Sequence, residues 1–274
     1  MARTIRSTLF VVGLTLALTA GQAAAQGGFE AAYTIGAARI PIGSAAMTGS
    51  IGVDEYVISM SGATSGLARV IAGGEGSMTA TGAVSADKLS PLRYTSKSKA
   101  GDDTLAVTMT FKDGNVHELE ASEPPPGGDR VALTMEHRRQ VLDPLSALLI
   151  PTGDGGVSEA ACRRVLPVFD GRRRYDLGLS FKRIEQVKAS NGYAGPAVVC
   201  SIVFQPIAGH QRGSPLLTFL TDGRDVEMAL APIAGTRILA PFRITAMYIL
   251  GNVVLQATRF ESTATSAPAR AGQP

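Results

Sequence analysis

The sequence predicts an all-β protein, mostly antiparallel, built as a curved or spiral β-barrel or as half-barrels with one short helix. Short segments that alternate apolar and polar residues recur along most of the 274-residue chain. Asp-Gly turns join several of these segments, and glycine reaches the positive φ that tight hairpins need. Only one segment combines helix capping with helical spacing. The length after removal of a leader suits one large β domain or two small ones.

The first 25 residues have the pattern of a secretory signal peptide. Arg3 and Arg6 precede an apolar core at 9–20, and three alanines at 23–25 indicate cleavage after Ala25. The alternative is a retained N-terminal anchor helix. No later segment is apolar over about 20 residues, so no transmembrane span is expected. We therefore expect a protein of the periplasm, secreted by a cleavable signal peptide.

The charge that remains after cleavage is close to zero. Without Arg3 and Arg6, the 26 basic residues fall to 24, against 23 acidic residues. Nucleic-acid binding depends on a basic excess and is not expected. Tryptophan is absent, which argues against a stacking platform for sugars or single-stranded nucleic acid.

Residues 26–122 are predicted to form a β meander, the first half of a single antiparallel β domain over 26–262. The predicted strands are 30–35, 40–51, 54–62, 92–98, 104–111 and 115–121. Pro41 and two glycines indicate that 40–51 is an edge or bulged strand. Residues 67–84 fit either a long curved strand or a short helix followed by a strand. Asp113-Gly114 predicts a hairpin turn.

A Pro/Gly loop at 123–129 separates this half from a second half, 130–262, because proline has no N–H to donate to a sheet. The helix candidate follows within 137–150. Asp143 is its predicted N-cap and Pro144 suits its first turn, with an end before Pro151.

The stretch from Cys162 to Gly209 contains the most distinctive hairpin. A strand at 165–169, a tight turn at Asp170-Gly171 and a strand at 172–181 are followed by a third strand at 197–204. The return strand should place five side chains on one half-buried face. These are Arg173, Tyr175, Leu177, Leu179 and Phe181.

Both cysteines of the chain belong to this stretch. Cys162 precedes the first strand and Cys200 lies within the third. An oxidising compartment favours a disulfide between them, which would stabilise the fold by about 3–4 kcal/mol through chain entropy. The alternative is two separate buried thiols.

The last strands are predicted in two pairs. Residues 216–221 and 225–231 flank Asp222-Gly223, and residues 237–250 and 252–261 turn at Gly251-Asn252. The Ala/Ser/Thr/Pro-rich residues 263–274 are expected to form a disordered tail.

Several short motifs, in this order, resemble an exported bacterial family known only as domain of unknown function 3108. They are Tyr33 and Gly36, Ser90-Pro91-Leu92-Arg93-Tyr94, Asp143-Pro144-Leu145-Ser146, Val168-Phe169-Asp170-Gly171-Arg172-Arg173-Arg174-Tyr175, Cys200, and Pro206-Ile207-Ala208-Gly209. The resemblance implies a periplasmic, mostly antiparallel β structure. It is similar in outline to spiral β-barrel envelope proteins of alphaproteobacteria, and more distantly to half-barrels that carry lipoproteins. The family supplies no activity and no catalytic residue.

Known catalytic and metal-binding patterns are missing from the sequence. His117, His137 and His210 have no metal-ligand spacing, and Ser65 does not lie in a Gly-x-Ser-x-Gly elbow. The two cysteines are not a Cys-x-x-Cys redox pair. No catalytic residue, metal or cofactor is therefore expected.

An arginine cluster around the hairpin is the candidate ligand site. Its residues are Arg172, Arg173 and Arg174 with Tyr175, next to Arg163 and Arg164. Arginine binds phosphate or carboxylate bidentately, which suits a lipid headgroup or glycan phosphate. The alternative is a solvated hairpin tip with salt bridges to Asp170 and Asp176.

These observations predict a non-enzymatic periplasmic protein that supports cell-envelope integrity by binding a partner protein or an amphiphile in a concave β surface. One alternative is a carrier of lipid or lipoprotein, with residues 143–150 as its lid. Another is a hydrolase of envelope polymers, for which Asp170, Asp176 and Glu185 are the available carboxylates.

Overall fold

The structure, a computed structural model, describes residues 26–265 with gaps at 67–68, 70–72, 86, 124–127, 215–216, 219–220, 222–225 and 249–250. The predicted signal peptide, 1–25, lies outside the described residues. Most of the predicted tail, from 266 onward, does too.

The described residues form an all-β, antiparallel architecture, which confirms the predicted fold class. The strands are β1 Gly27–Ala37, β2 Ile40–Ile51, β3 Glu55–Thr64, β4 Gly74–Val84, β5 Leu89–Ala100, β6 Asp103–Lys112, β7 Asn115–Ala121, β8 Ile150–Pro151, β9 Arg164–Phe169, β10 Arg174–Lys188, β11 Asn191–Gly192, β12 Ala194–Ala208, β13 Val226–Pro232, β14 Ile238–Tyr248 and β15 Gly251–Ala264. Three 3₁₀ turns lie at Met135–Arg138, Ser146–Leu148 and Glu159–Cys162.

One curved sheet contains both halves of the chain. Its order is β7-β6-β5-β4-β3-β2-β1-β15-β14-β13-β12-β10-β9, with the two-residue strands β8 and β11 added on β14 and β15. Strands β1 to β7 form the predicted meander, and β1 joins it to β15 of the second half. The sheet is not closed: its two end strands, β7 and β9, pair with β6 and β10 and not with each other.

A segment of irregular backbone bridges these two ends. The Val141 N–H donates to the Gly114 carbonyl (3.0 Å), in the turn between β6 and β7. The Leu142 N–H donates to the Pro167 carbonyl (2.8 Å), and the Phe169 N–H donates to the Leu142 carbonyl (2.9 Å). This segment therefore partly satisfies the free edge of β9, which an open sheet would otherwise expose.

Buried side chains divide into two clusters because β12 and β13 are covered on both faces. Val199 and Ala229 belong to the larger cluster inside the curved sheet, together with Phe29, Tyr56 and Phe260. Their neighbours along the strands belong to a second cluster that includes the 3₁₀ turn ending at Cys162. The Cys162–Cys200 disulfide is present, with a Cα–Cα distance of 5.4 Å, and ties the covering turn to β12.

The hairpin of β9 and β10 follows the sequence prediction closely. Tyr175, Leu177 and Leu179 pack against the second cluster as expected. Phe181 does not: its side chain is 40% exposed, and a register shift follows it between Phe181 and Arg183.

The predicted helix within 137–150 is shorter than expected. Asp143 caps it, but only the 3₁₀ turn Ser146–Leu148 follows. Leu149 already has extended dihedrals, and Ile150 pairs with Leu239 of β14. The chain therefore joins the sheet as β8 after one turn.

Four other predictions about strands need correction. Leu217, Thr218 and Thr221 are helical instead of forming a strand at 216–221, and β13 pairs with β12 and β14. Asp222-Gly223 lies outside the described residues. Gly251 and Asn252 do not form the predicted turn, since they belong to β15 and pair with Tyr248 and Met247 of β14.

The predicted tail begins too early, because Thr263 and Ala264 pair with Gly28 and Gly27 of β1. Strand β2 lies inside the sheet and not at an edge, although its pairing with β1 has the expected bulge between Ile35 and Gly36. No helix among the described residues has the length and apolarity to cross a membrane.

Candidate functional site

The tip of the β9–β10 hairpin is a four-residue turn organised by Asp170. Its Oδ1 accepts hydrogen bonds from the backbone N–H groups of Arg172 (2.8 Å) and Arg173 (2.6 Å). Gly171 has a φ of +92°, and a Cβ there would lie 2.5 Å from a methyl carbon of Val107. Glycine is required at this position by both its conformation and its close approach to β6.

Arg172 fastens this tip to the opposite end of the sheet. Its Nη2 donates to the carbonyl oxygens of Ala106 (3.1 Å) in β6 and Ser122 (2.6 Å) just after β7. Burial lowers the pKa of the Arg172 guanidinium, although the nearby Asp170 carboxylate acts in the opposite direction. The hairpin, which belongs to the second half of the chain, thus contacts the first half through one side chain.

The other two arginines pair with the carboxylates named in the alternative interpretation. Arg173 Nε donates to Asp170 Oδ2 (2.9 Å), and Arg174 Nη1 donates to Asp176 Oδ1 (2.6 Å). Both salt bridges of that alternative are therefore present. The ligand-binding role of Arg172, Arg173, Arg174 and Tyr175 stays a prediction.

A cleft of about 490 Å³ lies between the hairpin tip and the sheet. Its apolar lining residues include Ile35, Ala45, Met60, Met78, Leu105 and Leu255. Its polar lining residues include four serines together with Tyr94, Lys97, Asp170, Arg172, Arg173 and Tyr175. The cleft thus includes three of the four candidate residues; Arg174 is not part of it.

Two tyrosines form the wall next to the arginines. Burial raises the pKa of Tyr94 to about 12 and raises that of Tyr175 as well, so both phenols are neutral near pH 7. The Tyr175 ring also packs against Phe204, with 5.0 Å between ring centroids. Sequence reasoning named Tyr175 as a site residue but missed Tyr94, whose only signal was its place in the Ser90–Tyr94 motif.

A buried polar network lies next to the cleft, where Pro144 forms part of the wall. Asp143 Oδ1 accepts from the N–H groups of Leu145 (3.0 Å) and Ser146 (2.9 Å), and Oδ2 accepts from Ser146 Oγ (2.5 Å). The Tyr56 hydroxyl lies 2.6 Å from Ser146 Oγ. Burial raises the pKa of Asp143 to about 6 despite these hydrogen bonds. Sequence reasoning identified the cap but not its complete burial.

The carboxylates considered for a hydrolase do not come together. Asp170 and Asp176 pair with Arg173 and Arg174, whereas Glu185 binds Arg183 and Arg243. Asp176 and Glu185 lie nine residues apart on one strand, which is about 30 Å at 3.3 Å per residue. Among the described residues, no three His, Cys, Asp or Glu side chains are placed to hold a metal ion.

Fold and site together define an open antiparallel β-barrel-like protein with a cleft between a hairpin and the inner part of the sheet. The chain belongs to the family described as Protein of unknown function (DUF3108), whose model matches residues 29–258, in agreement with the resemblance stated above. No curated protein matches the chain significantly.

One solved structure similar to this chain is a beta-barrel-like protein of domain of unknown function DUF1849 from Brucella abortus. The comparison covers 87% of this chain and 98% of that chain, at 8% identity and a TM-score of 0.48. At that level of similarity it carries no argument about function.

Proposed function

We propose that this protein is a non-enzymatic binding protein of the periplasm that supports cell-envelope integrity by holding one amphiphile in the cleft. The observation that carries the proposal is the mixed lining of the cleft. Apolar side chains such as Met60 and Met78 line it together with two neutral tyrosines and with Arg173, which is paired with Asp170. An acyl or similarly apolar tail would bury against the apolar side chains, and an anionic headgroup would pair with Arg173.

The size of the cleft favours a single small amphiphile. Its volume of about 490 Å³ lies within the range of roughly 300–1,000 Å³ typical of small-molecule sites. A lipoprotein carrier would need a movable lid. The segment 143–150, which we considered as that lid, has Leu145 and Ile150 fully buried and Ile150 paired with β14. The structure therefore offers this alternative less support.

The binding test uses a fluorescent anionic amphiphile, 11-(dansylamino)undecanoate, titrated with the mature protein. Gly76 and Gly74 lie on the same face of β4, and the nearest atom to a Cβ at either position is a backbone oxygen at 3.4 Å. Only Gly76 forms part of the cleft wall. Gly76→Leu should fill the cleft and weaken binding about tenfold or more, whereas Gly74→Leu should leave it unchanged.

Equal binding by the wild type and Gly76→Leu would refute the proposed site. The link to the envelope is tested with the same pair of variants in a strain that lacks the gene. Gly74→Leu should restore growth in the presence of detergent and Gly76→Leu should not. Fractionation and N-terminal sequencing of the wild type then test export and the expected cleavage after Ala25.

A further inference from the structure

The edge strand β9 has an unused pair of backbone hydrogen-bonding groups. The outer edge of β9 already binds Leu142, through the Pro167 carbonyl and the Phe169 N–H. Because alternate residues of a strand direct their N–H and C=O groups to the same side, the groups of Val165 point to this edge as well. On this outer edge, which faces away from β10, neither the N–H nor the C=O of Val165 has a hydrogen-bond partner among the described residues.

A groove of about 370 Å³ runs along this part of the edge. Its walls are mostly apolar and include Leu89, Pro91, Leu142, Leu149, Pro151 and Val165. The Val165 side chain is 63% exposed. The groove therefore combines apolar surface with the free backbone groups that an added strand would use.

The groove also contains a cation without a partner. Arg164 forms part of its wall, and its Nε is buried with no hydrogen-bond partner. Arg164 makes no ion pair with any described residue, unlike its neighbour Arg163, which binds Glu159. Lys88 and Asp87 also border the groove and cancel each other's charge. Arg164 is half-buried, and a buried guanidinium N–H without an acceptor is costly and is matched by a carboxylate.

We propose that this groove docks an extended segment of a partner protein, added as a strand to β9, with an acidic side chain that pairs with Arg164. The Val165 N–H and C=O bind the main chain of the partner, as in other cases of strand addition to a sheet edge. A peptide fits better than a small acid, because only a main chain offers a donor and an acceptor with the spacing of a strand. This site is separate from the cleft and does not depend on the amphiphile.

The test measures fluorescence anisotropy of a fluorescein-labelled hexapeptide that alternates valine and threonine and carries one glutamate. The control peptide has glutamine in place of glutamate. Arg164→Gln should weaken binding of the glutamate peptide about tenfold or more. Arg163→Gln removes the same charge one residue away, from a side chain that is 69% exposed, and should bind like the wild type.

Val165→Pro tests the strand addition itself. It removes the outward N–H of Val165, and an edge strand tolerates proline where that N–H is not part of its ladder. We expect Val165→Pro to weaken binding of both peptides, whereas Arg164→Gln should remove the preference for the glutamate peptide over the glutamine peptide. Thermal unfolding of each variant establishes that it is folded.

Four results would overturn the proposal. The first is no binding of the glutamate peptide by the wild type at about 1 mM, and the second is equal binding of the two peptides. The third is an equal effect of Arg163→Gln and Arg164→Gln. The fourth is displacement of the peptide by decanoate, which would identify the groove as a site for small acids. The dansyl ligand of the cleft should remain bound throughout, so failure here and failure of the proposed cleft are distinguishable.

Discussion

Asp143 should make the stability of this protein depend on pH in an unusual direction. Its carboxyl group is completely buried, and its oxygens accept hydrogen bonds from Leu145 and Ser146. Desolvation outweighs these hydrogen bonds and raises the pKa from 3.8 to about 6. Asp143→Asn keeps the size of the side chain and an acceptor for the cap, but removes the ionisation.

The sign follows from which state binds more protons. Between about pH 4 and pH 6 the folded protein holds the Asp143 proton and the unfolded chain releases it. The free energy of unfolding therefore decreases as the pH rises through this range. The difference between 3.8 and about 6 corresponds to about 3 kcal/mol. This penalty is fully present above pH 6 and absent below the unfolded pKa.

Urea unfolding followed by circular dichroism measures the effect, since the chain has no tryptophan. The free energy of unfolding of Asp143→Asn minus that of the wild type should rise by about 2 kcal/mol between pH 4 and pH 7. Asp113→Asn, at an exposed turn with positive φ, is the control for loss of one carboxyl group. A difference that stays constant with pH, or that falls, would refute the reasoning.

Two further predictions concern the links that hold the sheet together. Replacement of both Cys162 and Cys200 by alanine should lower the free energy of unfolding by about 3–4 kcal/mol, because the disulfide closes a loop with a sequence separation of 38. A urea midpoint equal to that of the wild type would contradict this prediction. Tyr33→Phe should lower the free energy of unfolding by about 1–2 kcal/mol, because the buried Tyr33 hydroxyl donates to the Pro241 carbonyl (2.7 Å) and so connects β1 to β14. Differential scanning calorimetry would detect this loss as a lower melting temperature, and an unchanged melting temperature would contradict the prediction.

Local features of this fold could be predicted from the sequence because they depend on neighbouring residues. The Asp113-Gly114 turn is an example: both residues have positive φ, as the favoured two-residue hairpin turn requires. The limits of β2 and β7 and the capping role of Asp143 follow equally from local pattern. The disulfide was predictable as well, because only two cysteines were available.

The candidate site was only partly predictable. The sequence indicated the hairpin and its arginines, but the same residues fitted both a ligand site and a set of salt bridges. In the structure Arg173 and Arg174 are paired with Asp170 and Asp176, and Arg172 binds backbone carbonyls of β6 and of the residue after β7. Among the five arginines around the hairpin, Arg164 is the one without a side-chain partner among the described residues, and no sequence pattern distinguishes it from Arg163.

Local sequence patterns account for the alternation, the turns and the caps, and hence for an all-β antiparallel protein with one disulfide. Long-range contacts account for the pairing of β1 with β15, for the bridge that residues 140–142 form between the two ends of the sheet, and for the end of the helix after one turn beyond Asp143. Each of these depends on backbone hydrogen bonds between residues far apart in the chain. Such bonds form when the curved sheet brings unpaired strand edges together, and local sequence preference does not indicate which edges become neighbours.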